Sequence, residues 1–364
     1  MATASPANYL AGLDACWQAA LAPRSAGAPT VVSLFAGGGG SSLGYQMAGY
    51  REVLAVERDP HAVATLKRNF PDMPIFAGDI TALPIEETLS LAGLNRGELD
   101  VLDGSPPCQG FSTVGKRQLH DVRNGLWQEY VRLLDGLHPR CFVLENVPGL
   151  VRGKMRLVFA ACFRALQACG YQVTARVLNA AYFGVPQDRH RLIMLGARND
   201  LGITPTHPRA GTWPIPLQVA LDAAQLVRRD RGDDLDAVEW ETPPLSDRYG
   251  QLWDRVPIGG SAADVIGTGF SSCVKPDPAR PCRTLFTSQT GRGYATVVHP
   301  TEARALSVLE ARLICSFPPD YHLEGAYRER WARLGNAVPP LLMRAIAQHL
   351  RTSVLDADFV QRAA

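Results

Sequence analysis

Apolar runs and polar breaks divide the chain into alternating strands and helices. Val31-Val32-Ser33-Leu34-Phe35, Glu52-Val53-Leu54-Ala55-Val56, Ile75-Phe76, Leu99-Asp100-Val101-Leu102 and Cys141-Phe142-Val143-Leu144 are short, mostly apolar and bounded by turn residues. That is the pattern of strands buried on both faces. Residues 171–178 and Leu192-Ile193-Met194-Leu195 read as two more strands. Between them the spacing predicts helices over 60–70, 125–137 and about 154–169. In the second of these, Leu126, Trp127, Tyr130, Val131 and Leu134 fall on one helical face and are expected in the core. Strands alternating with helices predict an α/β fold with a doubly wound sheet. Further helices are expected over 10–21, 302–316 and from Pro340 to about Leu350. Residues 200–283 break the rhythm. Rich in Pro, Gly and Asp, they predict a separate, smaller, loop-rich domain with short strands.

Polar chemistry collects where the apolar runs end. The first strand enters Ala36-Gly37-Gly38-Gly39-Gly40-Ser41-Ser42, a turn that lets the backbone approach a ligand closely before a helix starts at Ser41 or Ser42. The second ends in Glu57, placed for ribose hydroxyls, and Asp79 follows the third, placed for an adenine amino group. Taken alone, Glu57 is equally a surface carboxylate. These residues describe a nucleotide-type crevice without choosing a nicotinamide cofactor over S-adenosylmethionine. The fourth strand runs into Gly104-Ser105-Pro106-Pro107-Cys108-Gln109-Gly110-Phe111-Ser112. Two prolines stiffen an extended turn and Gly110 frees the chain after it. A core cysteine needs neither, so Cys108 reads as a presented nucleophile. The fifth strand ends in Glu145-Asn146-Val147-Pro148, whose acid points into the same crevice; taken alone, Glu145 is equally a salt-bridge partner, and its value comes from standing one strand from Cys108. In Gln187-Asp188-Arg189-His190-Arg191 the two-residue period puts both arginines on one strand face, suited to an oxygen of a base or a phosphate.

Composition narrows the classes. The 364 residues suffice for two domains at about 150 residues each. A net charge of +2 neither demands nor excludes nucleic acid. Lysine is scarce: only Lys67, Lys116, Lys154 and Lys275 among 37 basic residues, which leaves the bidentate chemistry to arginine. The eight cysteines form no CxxC pair or Cys/His ligand spacing, so no zinc site, no other metal and no disulfide framework is expected. The N-terminus lacks a signal peptide pattern, and no uncharged apolar run reaches the length of about 18 residues that a membrane span needs. A cytoplasmic setting with reduced thiols, without a membrane partner, is expected.

Pro-Pro-Cys-Gln after a strand, Phe35-Ala36-Gly37-Gly38-Gly39, Glu145-Asn146-Val147, Gln187-Asp188-Arg189-His190-Arg191 and Gly335-Asn336-Ala337-Val338-Pro339, in this order from about 30 to 350, resemble the DNA cytosine carbon-5 methyltransferases of bacterial or phage type. The resemblance implies a Rossmann-like catalytic domain binding S-adenosylmethionine over 28–199 and 330–355. It further implies a target-recognition domain with a framework helix over 200–329, and leaves 1–27 as an extension. It implies cofactor contacts from Phe35, Ala36, Gly37, Gly38, Gly39, Glu57, Arg58, Asp79, Ile80, Asp100, Ser105, Pro107, Asn336 and Ala337, with the Phe35 ring on the adenine. Cys108 would attack carbon 6 of a flipped cytosine, Glu145 would donate to ring nitrogen 3, and Arg189, with Arg191, would hold the base. Double-stranded DNA would meet Gln109, Ser112, Lys116, Arg117 and Arg123 on a closing loop. Readers are expected among Arg228, Arg229, Arg231, Lys275 and Arg280, with Arg283 and Thr284 in a Pro-x-x-Thr segment whose threonine contacts phosphate. The recognition region 200–283 is not itself basic, with nine Lys/Arg against twelve Asp/Glu. A monomer is expected, with a cognate restriction-modification or phage-defence system as partner. A tRNA cytosine methyltransferase and a non-catalytic DNA-binding relative are the other readings.

Overall fold

A computed structural model describes residues 5–107, 125–245, 247–267, 273–287 and 297–357. These divide into two compact units. The sheet unit is Ala19–Asn179, His190–Arg209 and Met343–Ala364; the second is Met1–Gln18, Ala180–Arg189 and Ala210–Leu342.

In the sheet unit the strands are β1 (Thr30–Leu34), β2 (Arg51–Glu57), β3 (Ile75–Ala77), β4 (Val101–Gly104), β5 (Cys141–Asn146), β6 (Tyr171–Asn179) and β8 (His190–Arg198). They form one sheet in the order β3-β2-β1-β4-β5-β8-β6. Neighbours from β3 to β5 are parallel, while β8 runs antiparallel to β5 and to β6. This is the expected doubly wound α/β sheet, and its order reverses between β1 and β4. Ligands bind at such a switch point, outside the carboxyl ends of the strands. β1, β4 and β5 are buried throughout, which is why they read as apolar runs. On one face of the sheet Val32, Leu54, Leu102, Phe142 and Met194, aligned by the strand register, pack against Tyr130, Leu134 and Leu166 from the helices. Helix Pro60–Asn69 starts where Asp59 accepts from Ala62 N (2.9 Å) and Pro60 takes the first turn.

The second unit holds a two-stranded parallel pair, β7 (Gln187–Asp188) with β9 (Cys282–Arg283). Its cores include Tyr249, Trp253, Val256 and Val298. The expectation of little helix after residue 200 is corrected by a 15-residue helix, Leu217–Arg231. Of its seven buried residues three, Ala220, Ala223 and Ala224, are alanine, so the buried face carries less hydropathy contrast. The helix expected over 302–316 is shorter, Val308–Ile314. Ser307 and Glu310 form a capping box that starts the helix there, and Arg304, held by Glu302 and Glu310, belongs to the turn before it. Helix Pro6–Leu21 has a purpose the sequence left unread: its Tyr9 hydroxyl donates to the Leu313 carbonyl at 2.7 Å and Trp17 packs edge-on to Tyr321.

Candidate active site at the carboxyl edge of the sheet

The glycine-rich turn leaves β1 through Phe35 and Gly37, both at φ +56°, and Gly39 at +80°. Gly39 N returns to the Ala36 carbonyl (3.0 Å), which closes the turn before helix Gly40–Met47. A Cβ on Gly37 would meet no atom within 4 Å, so open space lies over the turn at the position where a ligand would approach. Gly37 N donates to Glu57 Oε2 at 2.7 Å, while Glu57 Oε1 accepts from Arg58 N and Asp59 N at 2.8 Å. The carboxylate is thereby pinned at the end of β2, next to the turn. Asp79, just past β3, accepts from Thr81 N (3.0 Å) and Thr81 Oγ1 (2.8 Å), which hold its carboxyl below the usual range. It also pairs with exposed Arg58 at 3.4 Å; such surface pairs contribute little. Ile80 beside it is buried. Phe35, Glu57 and Asp79 therefore line one edge.

Asp100 does not join them. It precedes β4 at the opposite, amino edge, where Thr30 N (2.8 Å) and Thr30 Oγ1 (3.0 Å) donate to Oδ2 and Arg140 pairs with Oδ1 at 2.8 Å. A residue at the start of a parallel strand is one strand length from the crevice. Its expected cofactor contact is replaced by this tie between the starts of β1, β4 and β5.

At the other end of β4, Gly104 lies against Tyr130. A Cβ there would sit 2.7 Å from the ring. The Tyr130 hydroxyl lies 3.1 Å from the Leu102 carbonyl and 3.0 Å from that of Val143. Ser105 and Pro107 continue half-buried. Asn146 Nδ2 donates to the Pro106 carbonyl at 3.2 Å, anchoring this turn to β5. Cys108, Gln109, Ser112, Lys116, Arg117 and Arg123 lie outside the described residues. Gly104 pairs in register with Leu144, so Glu145 stands beside Ser105, three residues before Cys108 in the chain.

Glu145 is buried, and its Oε1 meets Arg191 Nε at 2.7 Å. The β5–β8 register, Glu145 opposite Ile193, brings them together. Arg189 has other partners. It has no exposed surface, and it donates to the carbonyls of Leu285 (3.0 Å) and Gly335 (2.8 Å) in the second unit. The two arginines therefore do not share one target as the two-residue period predicted. Arg189 falls in the gap between β7 and β8, where the strand repeat is interrupted.

The remaining predicted residues sit in the second unit. Asn336 is exposed at the end of helix Tyr327–Asn336 and Ala337 is buried after it. The Arg228 guanidinium lies over Trp240 at 5.4 Å, and Lys275 Nζ lies over Trp253 at 4.1 Å. Exposed Arg229 pairs with Asp230, and Arg231 with Asp320. Arg283 donates to the Gly259 carbonyl (3.0 Å) and Thr284 Oγ1 to that of Asp188 (2.9 Å).

Two buried acids went unread in the sequence. Ser42 Oγ donates to Glu52 at 2.8 Å, and the Tyr45 hydroxyl to Asp103 at 3.3 Å. Burial pushes the Glu52 carboxyl up to about 7 and that of Asp103 well above its usual range. An acid inside an otherwise apolar strand was the available signal.

Comparison with known proteins bears on what this edge does. A family profile for C-5 cytosine-specific DNA methylase matches residues 29–352. The type II methyltransferase M.XorII of Xanthomonas oryzae pv. oryzae is 34% identical, over 87% of this chain and 83% of its own. The type II methyltransferase M1.HphI of Haemophilus parahaemolyticus is also 34% identical, over 88% and 86%. A crystal structure described as a DNA modification methyltransferase encoded within an E. coli prophage superposes with TM-score 0.69 at 23% identity, over 90% of this chain and all of its own. With most of its length inside the family profile, the chain belongs to the C-5 cytosine-specific DNA methylase family.

Proposed function

We propose that this DNA cytosine methyltransferase methylates carbon 5 of a flipped cytosine in one specific duplex site through a covalent Cys108 adduct. The observation that carries the reading is the register of β4 with β5, which stands the Glu145–Arg191 pair beside the turn leading into Cys108. Residues Phe35, Ala36, Gly37, Gly38 and Gly39, with Glu57, Arg58, Asp79, Ile80, Ser105 and Pro107, would hold S-adenosylmethionine; the open space over Gly37 and the pinned Glu57 carboxylate fit it. When bound, that cofactor supplies an electrophilic methyl group. Asn336 and Ala337 remain proposed contacts to it.

Carbon 5 of cytosine is a poor nucleophile. The Cys108 thiolate adds to carbon 6 and pushes its electron pair toward carbon 5, which then takes the methyl group. Glu145 donates a proton to ring nitrogen 3 as the adduct forms, and Arg191 fixes the orientation of that carboxyl. Loss of the carbon-5 proton to solvent returns electrons to the ring and expels the Cys108 thiolate, and nitrogen 3 returns its proton to Glu145. None of this reaches a base inside the stack, so the base is extruded. A further proposal is a monomer working beside a cognate restriction or defence system.

The test is transfer of labelled methyl from S-adenosylmethionine to unmethylated genomic DNA, with tRNA in parallel and the modified bases mapped. Carbon-5 methylcytosine in one short DNA motif is the expected result. Transfer confined to tRNA, or none to either, overturns the reading.

A further inference from the structure

Three consecutive residues of the second unit, Leu285, Phe286 and Thr287, are held by buried groups of the same unit. Arg189, without exposed surface, donates to the Leu285 carbonyl at 3.0 Å and to the Gly335 carbonyl at 2.8 Å. Its guanidinium thus bridges this segment to the end of helix Tyr327–Asn336. Fully buried Trp331, on the same helix, donates its Nε1–H to the Phe286 carbonyl at 2.8 Å. Gly335 lies so close that a Cβ there would sit 2.6 Å from the Phe286 carbonyl carbon and oxygen and 2.7 Å from Thr287 Cα. Just before the segment, Thr284 Oγ1 is tied to the Asp188 carbonyl. Leu285 itself is fully buried, but the Phe286 side chain is 44% exposed.

Burying an arginine is costly unless its donors are satisfied, and two of the Arg189 donors go to main-chain carbonyls, those of Leu285 and Gly335. Exposed aromatics are common on protein surfaces. One whose backbone is clamped on consecutive carbonyls is different, because its ring is presented with little conformational freedom left to lose on binding. We propose that Phe286 is a DNA-contacting residue that stacks on an exposed base, and that Arg189 is the positioning residue that presents it. The occupant is DNA because the chain is a DNA methylase and the segment adjoins exposed Arg283 and half-buried Thr284. Base–aromatic stacking tolerates any sequence, so the contact adds affinity without adding to the recognition code. The inference rests on the proposed activity on duplex DNA.

The experiment measures steady-state methyl transfer to duplex DNA by the full chain, with S-adenosylmethionine binding titrated separately. Phe286→Ala is expected to raise KM for DNA about tenfold, to leave the cofactor dissociation constant unchanged and to lower kcat little. Phe286→Tyr is expected to restore KM. Arg189→Lys, which can reach one carbonyl but not bridge two, is expected to raise KM in the same way while cofactor binding holds. If the wild type methylates DNA and Phe286→Ala shows an unchanged KM, the inference falls and the activity stands. If the wild type transfers nothing to duplex DNA, the activity falls and takes the inference with it.

Discussion

The buried acid Glu52 makes stability depend on pH in a calculable way. In the folded chain its carboxyl is pushed up to about 7, against 4.5 ordinarily, because burial disfavours the charge more than its serine hydrogen bonds favour it. The neighbouring groups are Ser33, Ser42 and Asp103, with Ser41, Tyr45 and Glu145 around Asp103. A raised carboxyl binds its proton more tightly folded than unfolded. The contribution of Glu52 to stability is therefore greatest below about 4.5 and is lost as pH rises toward about 7. At 1.36 kcal/mol per unit, a difference of 2.5 (7 minus 4.5) amounts to about 3 kcal/mol. Asp103, raised by the same burial and by Glu52 itself, acts with the same sign. Glu52→Gln keeps an acceptor for Ser42 and abolishes the titration. Guanidinium unfolding of both proteins at intervals from pH 5 to 8 is the assay. The stability of Glu52→Gln relative to the wild type is expected to climb across this window by about 2–3 kcal/mol. Any constant offset from the substitution drops out of that slope. Parallel curves for the two proteins would refute the reasoning.

Three further outcomes are expected. Cys108→Ser abolishes turnover while binding of cofactor and DNA persists, as calorimetry and gel retardation would show; wild-type rates in that variant exclude the covalent adduct. Arg191→Met leaves the buried Glu145 carboxyl without its 2.7 Å partner, and is expected to lower kcat by about a hundredfold, in the range ascribed to general acid–base catalysis. An unchanged kcat would show that the pair is not needed to orient the acid. Gly104→Ala would drive a methyl group into the Tyr130 ring, costing about 1–3 kcal/mol as overpacking does, read as a lowered Tm; a variant as stable as the wild type would mean that Tyr130 moves freely.

Much of the sheet unit was legible because its signals are local. β1, β4 and β5 are buried on both faces and so appear as unbroken apolar runs ending in turns. Glycines and acids at those ends point to one edge whenever the strands are parallel. The second unit was less legible. The alanine-rich face of helix Leu217–Arg231 is apolar by contact rather than by composition, and the capping box at Ser307 cuts a helical pattern that otherwise continues upstream. Its buried charges pair over long separations: Glu239 takes both Arg312 and Arg330, which also reaches Asp236, and no sequence spacing announces such a pairing.

By itself the amino-acid sequence determined the alternating strands and helices, the stiff turn leading into Cys108, and the family motifs, since each depends on neighbours a few residues away. Only the tertiary structure decided which arginine meets Glu145, at which edge Asp100 lies, that Glu52 and Asp103 are buried, and that Phe286 is held outward. Those outcomes turn on strand order, register and burial. They are set by contacts between residues from tens to more than a hundred positions apart, and the free energy of a charge depends on the partner and the dielectric it finds there rather than on its place in the chain.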